Sequence, residues 1–212
     1  MLLDYKEIKK KYGLNVRGVL HIGAHFGQEY ESYVANNVEN MAFFEPLSLT
    51  YAILKSRIPV TEKVKLFNVA LGSREGIVEM FVETANHGQS SSILEPDIHL
   101  KQYPHIIFSK RESVNMRTLD SFGESGELDL DGYNMINMDV QGYELEVLKG
   151  ARASLQSVDY IFSEVNRASV YKGCAQVEEM DEFLAPYGFE RVATSWEGVT
   201  WGDAFYMKRR EV

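Results

Sequence analysis

Short apolar runs alternate with amphipathic stretches along this 212-residue sequence, and that alternation restricts the chain to a parallel sheet with crossover helices. Residues 18–23 (GVLHIG) read as the first buried strand, followed by a helix over 28–36 with Tyr30, Tyr33 and Val34 on its inner face. Residues 41–45 (MAFFE) form a second strand ending at Pro46, with a helix near 47–57, and residues 64–70 (VKLFNVA) form a third. A fourth strand covers 133–139 (YNMINMD), with a helix over 144–149 that Gly150 stops. The fifth covers 158–165 (VDYIFSEV). Val177, Met180, Phe183, Leu184 and Tyr187 then fall at helical spacing over 176–187, and Gly188 ends that helix. The closing strands, 189–194 and 201–208, are joined by a loop too short for a crossover, so they must be antiparallel. The expected fold is α/β, doubly wound, with a mostly parallel seven-stranded sheet and a C-terminal antiparallel strand, in one domain over 1–212.

The middle of the chain is less regular. Residues 76–82 and 113–116 look like extra strands, separated by a polar loop containing Gly88-Gln89-Ser90-Ser91-Ser92. Residues 120–131 are acidic, with few apolar positions, and read as a solvated loop. Lysine and arginine number 22 against 31 acids, a formal charge of −9, which argues against a general nucleic-acid binder. The single cysteine, Cys174, excludes an internal disulfide framework or a cysteine zinc site and reads as a reduced thiol in a loop. The start, MLLDYKEIKKKYGLNV, lacks the apolar core of a signal peptide, and no stretch approaches 18 apolar residues. The expectation is a cytoplasmic protein without a membrane span.

Chemistry gathers at the strand ends. The first strand runs into His21-Ile22-Gly23-Ala24-His25-Phe26-Gly27, where glycines admit a ligand close to the backbone and the next helix offers free N–H groups. A dinucleotide fingerprint needs glycine at its first, third and sixth places; here those hold Gly23, His25 and Gln28, so two of three fail. A nucleoside with an amino-acid tail suits the turn better. Glu45 ends the second strand, one βα unit on, where a carboxylate accepts both hydroxyls of a ribose. Asn68 and Ala70, closing the third, would border the base. Asp139 and Glu164 end the fourth and fifth strands and face the same crevice. They are placed to deprotonate a hydroxyl, to bind a metal, or to hold a cationic ligand.

Several ordered segments carry a resemblance: GVLHIGAHFGQE, FFEP, VALG, SSSIL, TLDSF, MDVQGYELEVLKGA, EVN and WGDAFYMKR. Together they resemble the FkbM family of S-adenosylmethionine-dependent methyltransferases, from about Gly18 to Lys208. The resemblance implies a Rossmann-like class I fold and O-methyl transfer to a hydroxyl of a sugar, glycan or related natural product. It implies that Gly23, Ala24 and Gly27 line the methionine part of the donor, Glu45 takes the ribose, Asn68 and Ala70 flank the adenine, and Asp139 sits near the reacting centre. Many members carry aspartate where this chain has His21, and a neutral histidine cannot replace that charge.

Alcohol methylation needs a proton acceptor. Asp139 is the first candidate, Glu164 the second and His25 the third. A magnesium ion held by Asp139, Glu164 and Asp203 is an alternative that the sequence leaves open. An insertion around 73–118, chiefly residues 86–113, is expected to cover the acceptor site. Tyr103, His105, Phe108, Trp196 and Trp201 are available to stack on a sugar ring or simply to pack. A nicotinamide-dependent oxidoreductase on a similar sheet, or an idle nucleoside-binding module, are the competing readings. A nucleic-acid methyltransferase is disfavoured by the acidic balance and by the lack of an Asn/Asp-Pro-Pro-aromatic tetrapeptide after the fourth strand.

Overall fold

A computed structural model describes residues 2–209. In chain order the elements are α1 (Tyr5–Tyr12), β1 (Gly18–Ile22), α2 (Tyr30–Ala35), β2 (Asn40–Phe44), α3 (Ser48–Arg57), β3 (Val64–Phe67), β4 (Ala70–Leu71) and β5 (Gly76–Val82). These are followed by α4 (Ile98–Gln102), β6 (Lys110–Arg117), α5 (Leu119–Glu124), β7 (Met135–Met138), α6 (Glu144–Lys149), β8 (Tyr160–Asn166), α7 (Val177–Leu184), β9 (Phe189–Glu197) and β10 (Trp201–Lys208).

Successive side chains on a strand point to opposite faces, so strands that are apolar throughout must be covered on both sides. Leu20, Ile22, Ala42, Phe44, Ile136, Met138 and Ile161 join one core with Leu119 and Phe122 of α5, Val147 and Leu148 of α6, and Met180 and Leu184 of α7. Their neighbours Val19, Met41, Phe43, Met135 and Phe162 join the other, with Ile8 of α1, Tyr33 of α2 and Leu54 of α3. Each fully buried side chain of this kind contributes about 1.5–3 kcal/mol, so the two faces, rather than helix propensity, hold these short helices in place.

Seven strands form the main sheet in the order β3-β2-β1-β7-β8-β10-β9. β3, β2, β1, β7 and β8 run parallel, and β10 is antiparallel to both its neighbours. The chain moves outward from β1 to β3 and then returns to the other side of β1 with β7. That reversal opens a crevice at the carboxyl ends of β1 and β7, where ligands of such sheets bind. Among the described residues no helix is long and apolar enough to cross a membrane.

Three local expectations need correction, and one helix is added to them. The third strand stops at Phe67; Ala70 belongs to a separate three-stranded sheet ordered β4-β6-β5. The acidic stretch opens as helix α5, capped by the Thr118 side chain on the Ser121 N–H, with Leu119 and Phe122 buried. Helix α2 spans six residues, and one step of 100° beyond the buried Tyr33 turns Val34 outward, leaving it 45% exposed. Helix α1, which the sequence reading passed over, is stapled by Asp4 accepting from the Glu7 N–H and by Gly13 at φ 64°.

Candidate active site

The turn after β1 is built on contact between strand ends. Gly23 has φ 78°, and a Cβ there would collide with the carbonyl oxygen of Asp139 at the end of β7. The N–H groups of Gly23 and Ala24 both donate to the Phe44 carbonyl, at 3.0 Å each. Gly27 is glycine for a different reason: at φ 74° its α-carbon lies against Leu54 and Ile58, so it seats the turn on α3 and does not line either cleft described below.

Glu45 follows β2. Its two carboxylate oxygens accept from the N–H groups of His25 and Leu47, both at 2.9 Å. Burial nevertheless dominates and pushes its carboxyl up to about 8. The Asn68 side chain donates to the carbonyls of Glu45 and Pro46, at 2.9 Å each, so it braces the Glu45 turn from behind. Glu45, Phe44, Leu47, Val69, Ala70 and Leu71 are among the walls of a narrow, mostly apolar slot. A second, wider cleft of about 550 Å³ adjoins it. Five residues line both: Gly23, His25, Gln89, Asp139 and Gln141.

Carboxylates converge on the wide cleft. Asp139 follows β7 and Glu164 lies in β8, directly paired across strands with Asp203 of β10. Gln141 bridges the first two: its amide nitrogen donates to Asp139 Oδ1 at 2.7 Å and to Glu164 Oε2 at 2.9 Å. The Gln141 amide oxygen lies 2.7 Å from the Tyr171 hydroxyl, and its NH2 end faces the carboxylate oxygens that accept from it. Burial, together with the charges of Asp139, Glu144 and Asp203, pushes Glu164 well above the usual carboxylate range. Asp203 is also pushed up by burial, and its Oδ2 accepts from the N–H groups of Leu2 and Leu3. Buried Glu144 accepts from Val140 and Gly142 N–H groups and shapes the loop that carries Gln141.

A loop over residues 83–92 roofs both cavities. Its organiser is buried Glu83, whose carboxylate accepts from the N–H groups of Ala85, Asn86 and Gly88. The three serines brace it: the Ser90 carbonyl lies 2.9 Å from the Tyr171 hydroxyl, Ser91 Oγ accepts from the Glu83 N–H, and Ser92 Oγ donates to the Gln141 carbonyl. His25 ties this roof to the glycine turn. Its Nε2 lies 2.9 Å from the His87 carbonyl and its Nδ1 accepts from the Gln28 amide at 2.9 Å, so both ring nitrogens are engaged. His25, His87 and Gln141 are three of the four non-glycine residues with positive φ among those described, and all belong to loops around the clefts.

His21 is buried, and desolvation lowers its pKa towards the neutral form. Its Nδ1 lies 3.1 Å from the Tyr33 hydroxyl, and its Nε2 lies 3.9 Å from Glu29, whose carboxylate lines the wide cleft. Of the five aromatic candidates, Tyr103, His105 and Trp201 line that cleft. Phe108 packs beside Tyr171 and Cys174, and Trp196 packs on the main core under the guanidinium of Arg167. Cys174 is a free thiol in a loop, and it is buried. Gln141, Glu83 and Tyr171 organise the site without having stood out in the sequence; a glutamine in a loop carries no spacing signal. Among the described residues no three His, Cys, Asp or Glu side chains are grouped so as to hold a metal ion.

The strand order, with its reversed strand and its crevice at the β1–β7 switch, defines a Rossmann-like class I methyltransferase fold. Residues 21–191 match the methyltransferase FkbM domain, and the chain belongs to that family. It is similar to the 2-O-methyltransferase NoeI of Sinorhizobium fredii, 27% identical over 187 residues that cover 85% of this chain and 75% of that protein. A shorter match, 40% identical over 60 residues, covers 27% of this chain and 24% of the hexuronic acid methyltransferase AglP of Haloferax volcanii. Among solved structures, a Listeria monocytogenes protein assigned to the S-adenosylmethionine-dependent methyltransferases superposes with a TM-score of 0.54 at 11% identity, covering 97% of this chain and 98% of that one. A methyltransferase of Leishmania major gives 0.51 at 12% identity, over 96% and 69%.

Proposed function

We propose that this protein transfers methyl from S-adenosylmethionine to a hydroxyl of a sugar or glycan, as a single methyltransferase domain over residues 1–212 whose segment around 73–118 covers the acceptor. The observation that carries this reading is that Asp139 and Gln141 line the narrow slot and the wide cleft at once. The slot's lining suits a nucleoside: apolar Phe44, Leu47, Val69 and Leu71 would flank a base, and buried Glu45 would meet the ribose hydroxyls. The donor's sulfonium supplies an electrophilic methyl group. What remains for the chain is to align an acceptor oxygen with it and to take the proton, contributions of up to about 7–11 kcal/mol and about 10²–10⁴-fold respectively.

Asp139 takes that proton. Gln141 holds its Oδ1, leaving the second oxygen to meet a hydroxyl at the junction of the two cavities. Glu164, whose carboxyl burial and its acidic neighbours push well above the usual range, accepts from Gln141 and adds a polar contact beside the base. His25, with both nitrogens engaged, links turn and roof. Transfer of labelled methyl to glycans, read by mass spectrometry as a gain of one methyl, tests the reading; an idle binding module would bind donor and transfer nothing. Because Asp203 is turned to the Leu2 and Leu3 amides and does not group with Asp139 and Glu164 as a ligand set, no step runs through a divalent ion. Turnover is expected to persist undiminished in excess chelator.

Glu45 gives donor binding a pH signature. With its carboxyl at about 8 in the empty slot, the group is protonated at neutral pH. Ribose hydroxyls favour the ionised form, so binding of S-adenosylhomocysteine should tighten as pH rises through about 8 and level off above it. The same shift makes folding take up a proton between the unfolded pKa, about 4.3, and 8, so stability falls with rising pH across that window. Glu45→Gln is expected to flatten both profiles and to weaken binding about 10- to 100-fold, the cost of losing hydrogen bonds to a charged group. Binding calorimetry across about pH 6–10, roughly two units either side of that value, together with melts from about pH 4 to 9, reads both profiles. A parallel slope in the variant would assign the titration elsewhere.

A further inference from the structure

The wide cleft carries a charge selection that the methyl-transfer reading does not require. Four carboxylates line it, Glu29, Asp139, Glu164 and Asp203, and among the described residues no lysine or arginine does. Two arginines on adjoining segments are spent on aromatic faces: the guanidinium of Arg57 lies 5.0 Å from the Phe26 ring centre and that of Arg167 lies 3.5 Å from that of Trp196. Of the lining histidines, His21 and His99 are buried, and burial lowers the pKa of each. A carboxylate or phosphate on an acceptor entering such a cleft sheds its water and meets no lysine or arginine among the described lining residues in return. The overall charge of −9 repels it on approach as well.

The rest of the wall suits an uncharged ring. Trp201 Nε1 donates to the Tyr103 hydroxyl at 3.0 Å, locking the two aromatic side chains to one another. The His99 ring sits 5.1 Å from that of Tyr103 and 5.4 Å from that of Tyr171, and its Nδ1 is buried without a hydrogen-bond partner. Rigid rings with polar edges offer a flat apolar surface and hydroxyl partners together, as a pyranose needs. A volume of about 550 Å³ takes a sugar ring beside the amino-acid end of a donor.

We infer that the acceptor is a neutral glycan, and that this cleft refuses uronic acids and phosphorylated sugars. The inference rests on the sugar O-methyltransfer reading above, and it separates this chain from the hexuronic acid methyltransferase with which it shares a 60-residue match.

Pairs of glycosides that differ only in oxidation of the C6 carbon, such as a methyl glucoside and the matching methyl glucuronoside, test it with the full chain and labelled donor. Like-charge juxtaposition without a compensating cation costs several kcal/mol, so kcat/KM is expected to be about 100-fold higher for the neutral member. Asn86→Lys, which places a cation on the cleft wall, is expected to narrow that ratio about 10-fold by raising the value for the acid. Equal or faster transfer to the glucuronoside by the unaltered protein overturns the neutral-acceptor inference and leaves methyl transfer to sugars standing. Calorimetric binding of S-adenosylhomocysteine with no transfer to either member of any pair overturns the sugar reading and this inference with it.

Discussion

Asp139→Asn is expected to lower kcat by about 10²- to 10⁴-fold while leaving the affinity for S-adenosylhomocysteine within a few-fold of the parent. The two side chains have the same shape, and the amide oxygen still accepts from Gln141, so the junction between slot and cleft keeps its form. What disappears is the capacity to take a proton. Removing the Asp139 charge also removes the largest electrostatic contribution that raises Glu164. Residual activity in the variant should therefore climb with pH as Glu164 ionises, and Glu164→Gln added to it should abolish that climb. Single-turnover methyl transfer, with calorimetry for the demethylated donor, reads both parts. Undiminished turnover would take Asp139 out of the chemistry.

Gly23→Ala is expected to destabilise the fold by about 3 kcal/mol and to lower Tm by about 6–12 °C. Two costs combine. At φ 78° an L-residue pays about 1–2 kcal/mol for the left-handed backbone. The new methyl group would also collide with the Asp139 carbonyl oxygen, which belongs to the end of a buried strand and cannot swing aside. Gly13→Ala is the control: φ is 64°, no atom lies within 4 Å of the added carbon, and only the backbone cost applies. Because the collision pushes β1 and β7 apart, Gly23→Ala should lose methyl transfer even at temperatures where it remains folded. Thermal melts of the two variants separate the contributions; equal melting losses would show that strand contact at Gly23 adds nothing.

The sheet was legible because its strands are apolar on both faces: Val19 and Leu20, or Phe43 and Phe44, cannot both be buried unless helices cover each side. Helix α1 was not, since only Ile8 of its eight residues is buried, and a Lys-rich octapeptide looks like solvated chain. Helix α5 was hidden by the acids around Leu119 and Phe122, two apolar positions that suffice for burial at i and i+3. Glu45 and Asp139 were readable as strand-end acids, because position in an open α/β sheet dictates which crevice a side chain faces. Gly27 and Asn68 show the opposite limit. Both lie beside residues that line the cavities, yet one is glycine to seat against Leu54 and Ile58 and the other props the Glu45 turn. Proximity in sequence to a site does not say whether a residue meets the ligand or supports one that does. Gln141 is set by contacts to its near neighbour Asp139 and to Glu164 and Tyr171, 23 and 30 residues further on, and no local pattern encodes such a convergence.

The reversed direction of β10 has a consequence of its own. Every parallel strand of the sheet brings its last residues to the crevice, but β10 brings its first, Trp201 and Asp203, and ends at Lys208 on the far rim. A tight bend at Gly198, Val199 and Thr200 therefore stands at the doorway where the neighbouring strands need whole helices to return. Doubling the length of such a bend costs only about 0.6 kcal/mol. Retailoring this one corner would reshape the mouth of the wide cleft while the narrow slot at the ends of β1, β2 and β7 stays untouched.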